Sequence, residues 1–472
     1  MLEVPKKQLT VVLALFVALA LTTYFYRYPT GDDAWLGEQA FWLEKGGIIR
    51  SEFFRGLVGC EKQIFVCHKL FVVFGAMMIR LFGYELPVLQ FVGLIFFVLL
   101  ICELIYYVGK REGSFNSTYI LALLILVFSN RLLIKMSFEN RPEMMVAALG
   151  FGSFLCILRQ KVTFGQAAAA GFLAGLAFLC HMNGVIFLIA GFITLIYLKS
   201  YKTAVCFAIT GTLTSLTYFT DVLSKKNGFD LWLAQFAGDP QTVAALTGTA
   251  KLIQVLTYPV LFFKSPEQIA LSLLLIFLLW SQRGLLKNLP VKPRVYALVL
   301  FLSFWTITKA NVGLYMLIFI PFMLVLVYEL YKLRPFQNVA FRLVIAAYFI
   351  IGAFGMCQII YTNFNMEYLP VSYEKLRPRI DDSDTGFVPL TFFFDEYEEY
   401  ARLLTHENYE LQSGKKNMTT HHMASWARKN NVGFILMDYA FRPESYYPKA
   451  GTKKIPFYKL TYFNGRFAIY ER

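Results

Sequence analysis

Apolar runs, each approaching the roughly 20 residues that a helix needs to cross about 30 Å of hydrocarbon, follow one another along most of the chain, separated by short charged segments. They do not alternate apolar with polar residues, so they predict helices and not the strands of a membrane barrel. Spans are expected near residues 9–26, 87–108, 118–133, 142–158, 165–180, 184–198, 203–223, 267–281, 295–308, 313–331 and 341–361. Two shorter apolar segments, 68–82 and 252–263, read as helices lying at the membrane surface, though either could be a span. The expected fold class is an all-α polytopic membrane protein with about eleven transmembrane helices, or up to about thirteen if both short segments cross. The first run ends in Tyr24-Phe25-Tyr26-Arg27 and lacks a small-residue cleavage site, so it reads as a retained span.

After the last run the pattern changes. Segments 387–394, 434–439 and 457–470 have strand character, with Asn464-Gly465 as a hairpin turn, while 395–404 and 419–429 read as helices. This predicts a small extracytoplasmic α/β domain at the C terminus. The expected organisation is a membrane domain over 1–362, including a first outer loop at 27–86, followed by the tail domain at 363–472.

Composition sharpens the class. With 57% hydrophobic and only 16% charged residues, the chain carries more apolar sequence than a water-soluble core of its length would need. The net charge of +14 raises the question of a polyanionic partner, and the position of the charges answers it. With the N terminus inside, the expected cytoplasmic segments hold fourteen Lys and Arg against Glu3, Glu112 and Glu329, an excess of eleven out of the +14. Membrane topology therefore accounts for the basic balance, and no nucleic-acid partner is expected. Five cysteines fall within apolar runs and read as small hydrophobes, whereas Cys60 and Cys67 flank a short loop segment and could pair if that loop is outside the cytosol.

The outer loop at 27–86 is far longer than a connection between two spans requires, and such loops usually carry function. After Pro29 and Thr30 its pattern is that of a helix to Lys45, closed by Gly46-Gly47, with Trp35 and Trp42 on one face as interfacial anchors. Asp32 and Asp33 stand at the start of this helix. Capping explains them if Thr30 is the N-cap, Asp33 closes a capping box and Asp32 complements the dipole. Alternatively Asp32 is a general base that takes a proton from an acceptor hydroxyl.

A second acidic site lies in Ser137-Phe-Glu-Asn-Arg-Pro-Glu-Met, where Glu139 and Glu143 share a membrane boundary with Arg131, Lys135 and Arg141. Pro142 and Glu143 suit a first helical turn, so capping again competes with function. Functionally, carboxylates and cations together suit a ligand that bears both a hydroxyl and a phosphate, the Arg fork holding the phosphate. Lys309, in the turn Thr308-Lys-Ala-Asn-Val-Gly-Leu-Tyr315, either snorkels to the interface or neutralises a lipid phosphate with Tyr315 donating a hydrogen bond. His181, at another outer turn, is a weaker candidate. No HExxH, paired CxxC, P-loop or G-x-G-x-x-G pattern occurs; a divalent cation is left open and no other cofactor is indicated.

These features, taken in order, resemble the GT-C superfamily: a first span, an outer loop opening on acids and an aromatic helix, His68-Lys69-Leu70-Phe71 running to Arg80-Leu81-Phe82-Gly83, and a Lys309, Tyr315, Pro321 turn. Within it the likeness is to the protein O-mannosyltransferases and lipid A aminoarabinose transferases. That resemblance implies transfer of a sugar from a polyprenyl phosphate carrier to a lipid, glycan or protein acceptor on the periplasmic or luminal side, by an inverting displacement. It assigns Asp32 as base with Asp33 beside it, Glu143 as second acid, and Lys309 with Tyr315 to the carrier. His68, Lys135, Glu139, Arg141 and His181 complete the substrate-binding candidates. The chain departs from the family in having Leu70 where a proline usually follows the loop His or Lys, and Glu143 where the acid is often Asp. A bacterial inner membrane is the expected location, although Asn417-Met-Thr would permit glycosylation in a eukaryotic lumen. A transporter of lipid-linked sugars, and a polysaccharide ligase or polymerase, are the competing classes.

Overall fold

The computed structural model describes residues 5–27, 31–159, 161–238, 248–307, 312–334, 339–414, 418–440 and 443–472, without the side chains of Gly31 and Asp32. The chain divides into two compact units. The first comprises Met1–Phe25, Val66–Phe74 and Gln90–Phe364; the second comprises Tyr26–Phe65, Gly75–Leu89 and Asn365–Arg472. The first outer loop thus divides: most of it groups with the C-terminal tail, and Val66–Phe74 groups with the helices.

The first unit is helical, and a helix stands wherever an apolar run predicts one. Among the described residues, Leu86–Glu112 and Val339–Glu374 are long and apolar enough to cross a membrane, and five further apolar helices are 10–17 residues long. The expected total of about eleven crossings therefore goes further than helix length alone supports. Three expected spans are broken, and the one at 203–223 passes from the helix Tyr201–Leu216 through a 3-10 turn, Thr217–Phe219, to Thr220–Leu223. Thr118–Phe128 stops at Ser129, and Asn130 restarts the chain as Arg131–Met136 by accepting the Leu133 N–H at 3.0 Å. The run at 313–331 is a 3-10 turn, Gly313–Ile318, followed by the helix Ile320–Leu333, because Pro321 has no N–H to give and fits only a first turn.

Small residues bring these helices together. A Cβ on Gly171 would lie 2.3 Å from the Phe207 carbonyl oxygen, so Phe164–Cys180 and Tyr201–Leu216 approach backbone to backbone. Gly352 plays the same part against the break at Ser129, whose carbonyl oxygen lies 1.8 Å from where a Cβ would stand.

The second unit contains a six-stranded sheet in the order β2-β1-β3-β6-β5-β4, with β1 (Thr385–Val388), β2 (Arg402–Thr405), β3 (Phe434–Asp438), β4 (Lys454–Ile455), β5 (Tyr458–Phe463) and β6 (Phe467–Glu471). β1 pairs in parallel with β2 and β3, and the remaining pairs are antiparallel. One face packs Phe387, Ile435, Met437 and Tyr470 with Tyr409, Met423 and Ala427 of the flanking helices.

The expected strand at 387–394 ends at Val388, because Pro389 opens the helix Leu390–Glu396, and the expected helix at 395–404 is the end of that helix followed by β2. The hairpin holds: Gly465 takes φ +94°, and the Asn464 side chain accepts the Arg466 and Phe467 N–H groups at 3.0 and 2.7 Å.

The loop helix Gly31–Gly46 packs within this unit. Its buried Glu38 accepts the Ser51 hydroxyl at 2.6 Å, the Trp42 indole N–H at 3.1 Å and the Phe53 amide at 3.3 Å, together with the Glu52 amide. Asn408 then donates to the Glu52 and Phe53 carbonyls at 2.8 and 2.5 Å, tying the loop to the tail. Trp42, expected as an interfacial anchor, lies under the Arg50 guanidinium, 3.4 Å from its ring centroid. All seven cysteines are free thiols, Cys60 and Cys67 included.

Candidate functional site

The structure groups the expected site residues in three places. In the first unit, Glu143 begins the helix Glu143–Ile157 and is buried, and both its oxygens are taken by Arg141, from Nη2 at 2.6 Å and Nε at 3.1 Å. Pro142 fixes the turn between them. Lys135 likewise reaches Glu139 at 3.5 Å, and Arg131 reaches Glu267 at 3.9 Å. Three of the cations grouped in the sequence reading, Arg131, Lys135 and Arg141, thus each have a carboxylate within reach.

The second group is aromatic. His68 stacks on His181 with centroids 4.6 Å apart and planes at 24°, and His181 meets the edge of Tyr315 at 5.7 Å. His181 also lies within electrostatic reach of Glu143. His181 Nδ1 accepts the Asn183 N–H at 3.0 Å, so the neutral ring carries its proton on Nε2. His68 is held from the next residue: the Lys69 ammonium donates to the Tyr218 carbonyl at 2.6 Å, pairs with Asp221 and sits 4.4 Å over the Tyr218 ring. On the other side Gln268 donates to the Gly313 carbonyl at 2.5 Å, two residues before Tyr315.

The third group lies in the second unit. Asp33 is fully buried and lines a small cavity with Asp395, Leu86, Tyr373, Thr391 and Phe394. Burial pushes the Asp395 carboxyl up to about 7, and neighbouring Glu396 adds to the effect, while the Arg377 guanidinium opposes it. Tyr373 and Thr391 share a hydrogen bond of 2.6 Å beside it.

The Asp32 side chain and Lys309 lie outside the described residues. Sequence reasoning missed two carboxylates, the buried Glu38 and the half-buried Asp395. Asp395 sits in Phe392-Phe-Phe-Asp-Glu, a stretch whose apolar run reads as strand; the signal that marks it, a shared cavity with Asp33, is not local. Among the described residues no group of three or more His, Cys, Asp or Glu side chains could hold a metal ion.

No protein-family model and no curated protein sequence matches the chain. Solved structures do. ArnT from Cupriavidus metallidurans bound to undecaprenyl phosphate superposes with a TM-score of 0.64 at 11% identity, over 99% of this chain and 98% of that one. The Archaeoglobus fulgidus oligosaccharyltransferase tethered with an acceptor peptide gives 0.54 at 14% identity, over 92% and 69%. The same organism's AglB in complex with an inhibitory peptide and a dolichol-phosphate gives 0.51 at 13%, over 90% and 69%. At this identity the likeness is one of fold: the chain folds as GT-C glycosyltransferases do, as the resemblance in its sequence implies.

Proposed function

We propose that this chain, which has the GT-C fold, is an integral membrane glycosyltransferase that moves a sugar from a polyprenyl-phosphate-linked donor to a lipid, glycan or protein acceptor on the extracytoplasmic face. The observation that carries this reading is the end-to-end match to ArnT bound to undecaprenyl phosphate, which includes the outer loop and tail as well as the helices. Fold alone does not fix chemistry, so the residues must supply it.

The reaction needs a base, stabilisation of the departing phosphate and a positioned acceptor. Asp32, with Asp33 next to it, is the proposed base: it takes the acceptor proton as the hydroxyl attacks the anomeric carbon and the carbon–phosphate-oxygen bond breaks, inverting the centre. Lys309 and Tyr315 are the proposed contacts to the leaving phosphate. Glu143, the proposed second acid, is held by Arg141 within electrostatic reach of His181, and His68, Lys135 and Glu139 complete the proposed substrate-binding residues. The N terminus is assigned to the cytoplasm and the sheet domain to the periplasm of a bacterial inner membrane, following the charge asymmetry of the loops.

Mass spectrometry of envelope glycolipids and glycans from cells with and without the chain tests this. The expected result is a glycan lacking one sugar in the absence of the chain. Identical glycan profiles, with the donor lipid equally consumed, would contradict it.

A further inference from the structure

The first unit holds a second site that transfer chemistry does not use. At the end of the Glu143–Ile157 helix opposite Glu143, roughly 22 Å away at 1.5 Å per residue, a cavity of about 550 Å³ opens among four cations, Lys110, Arg111, Arg159 and Lys292. Its walls are apolar, from Leu155, Leu158 and Leu198, with Tyr106 and Tyr107 beside them. No acidic residue among the described residues lines it.

Cations at a membrane boundary need no ligand on topological grounds, since Lys and Arg gather there and snorkel. Here, though, two of the four are spoken for and two are not. Arg111 is fixed by a bidentate pair with buried Glu329 at 2.8 and 2.9 Å. Lys292 donates to the Ile157 carbonyl at 3.1 Å and to the Arg159 carbonyl, closing the end of that helix. These two build the walls. Lys110, 5.7 Å over the Tyr106 ring, and the exposed Arg159 have no carboxylate partner among the described residues, and both line the cavity. A pocket that combines two unpaired cations at its rim with an apolar interior matches one kind of guest, an anion carried on a hydrocarbon tail.

The geometry points to a binding site for an anionic phospholipid in the cavity between Lys110, Arg159 and the Leu155, Leu158 and Leu198 wall, at the end of the bundle away from the proposed transfer site. The phosphodiester is held by Lys110 and Arg159, and the first carbons of the acyl chains lie against the leucines. The site does not depend on what the opposite end catalyses. A bound lipid there bridges the ends of the helices Leu86–Glu112, Glu143–Ile157 and Val291–Ile307 and ties them together.

Native mass spectrometry of the full chain in detergent, titrated separately with phosphatidylglycerol, phosphatidylcholine and inorganic phosphate, tests the site. Phosphatidylglycerol is expected to bind about tenfold more tightly than phosphatidylcholine, and inorganic phosphate is expected not to displace it at equal concentration. Lys110→Gln combined with Arg159→Gln removes the tenfold preference. Arg159→Glu, a single change at an exposed position, gives a second reading of the same loss if the double variant does not fold. Equal binding of the two lipids, an undiminished preference in the variants, or displacement by inorganic phosphate alone would overturn the proposal. Sugar-transfer activity is read separately, so failure here leaves the transferase assignment standing.

Discussion

The guanidinium of Arg141 grips both oxygens of Glu143, and the carboxylate it grips is buried. Two residues that the sequence offers separately, one to hold a phosphate and one to act as an acid, are a single charge-compensated unit. Removing Arg141 strands the buried Glu143 carboxylate in a low dielectric. Arg141→Ala should destabilise the chain by about 3 kcal/mol, and adding Glu143→Gln should restore part of that loss. Thermal unfolding of the detergent-solubilised variants gives the coupling, expected to exceed about 1 kcal/mol; strict additivity would show the pair to be idle.

The second unit should lose stability as pH rises towards neutrality. Burial pushes Glu38 and Asp395 each up to about 7, so the folded form keeps a proton that the unfolded form releases near the ordinary carboxylate value. With more protons bound in the native state, stability is greatest below that ordinary value, falls through the interval up to about 7, and levels off above it. Melting temperatures at pH 5 and pH 8 should therefore differ, with pH 5 the higher, and Asp395→Asn should narrow the gap. An unchanged gap in that variant would remove Asp395 from the account.

Glycines that look alike in sequence should respond in opposite ways. Gly352→Ala places a methyl 1.8 Å from a backbone oxygen of Ser129 and should cost about 1–3 kcal/mol, since backbone cannot step aside cheaply. Gly165→Ala meets nothing within 4 Å on a helix and should be neutral or stabilising by up to about 1 kcal/mol. Melting temperatures of the two variants, measured side by side, decide the matter.

The imidazole column offers a test of binding against packing. His181→Phe preserves the stack with His68 and the edge contact to Tyr315 but removes Nδ1 and Nε2. Donor KM should rise about tenfold, the worth of one hydrogen bond to a charged group, while the melting temperature falls only by the loss of the bond from the Asn183 N–H. A lower melting temperature with unchanged KM would assign His181 to structure alone.

How far the sequence could be read follows from the range of each interaction. The helices were legible because an apolar run long enough to span lipid is written in consecutive residues, and the hairpin because Asn464-Gly465 meets a purely local demand for positive φ. Pro389 was equally local and should have ended the strand at Val388; the apolar triple Phe392-Phe-Phe masked it. The Asn130 cap on Leu133 is local, but its amide also donates to the Tyr348 hydroxyl at 3.1 Å, 218 positions away in sequence. The sites divide the same way. Arg141 and Glu143 are two residues apart, so their meeting was foreseeable, whereas Lys69 finds Asp221 and Asp33 shares its cavity with Asp395 only through the fold. No spacing rule marks such pairs.

The most direct test of the central claim is sugar transfer by the purified chain in lipid vesicles, supplied with radiolabelled polyprenyl phosphate sugar and an envelope acceptor fraction. The wild type should move label to the acceptor and release polyprenyl phosphate, and Asp32→Asn, folded and inserted alike, should be slower by about 10²–10⁴-fold, the usual worth of a positioned base. Transfer by Asp32→Asn at the wild-type rate, or no transfer by the wild type from any polyprenyl-phosphate-linked sugar, would contradict the account.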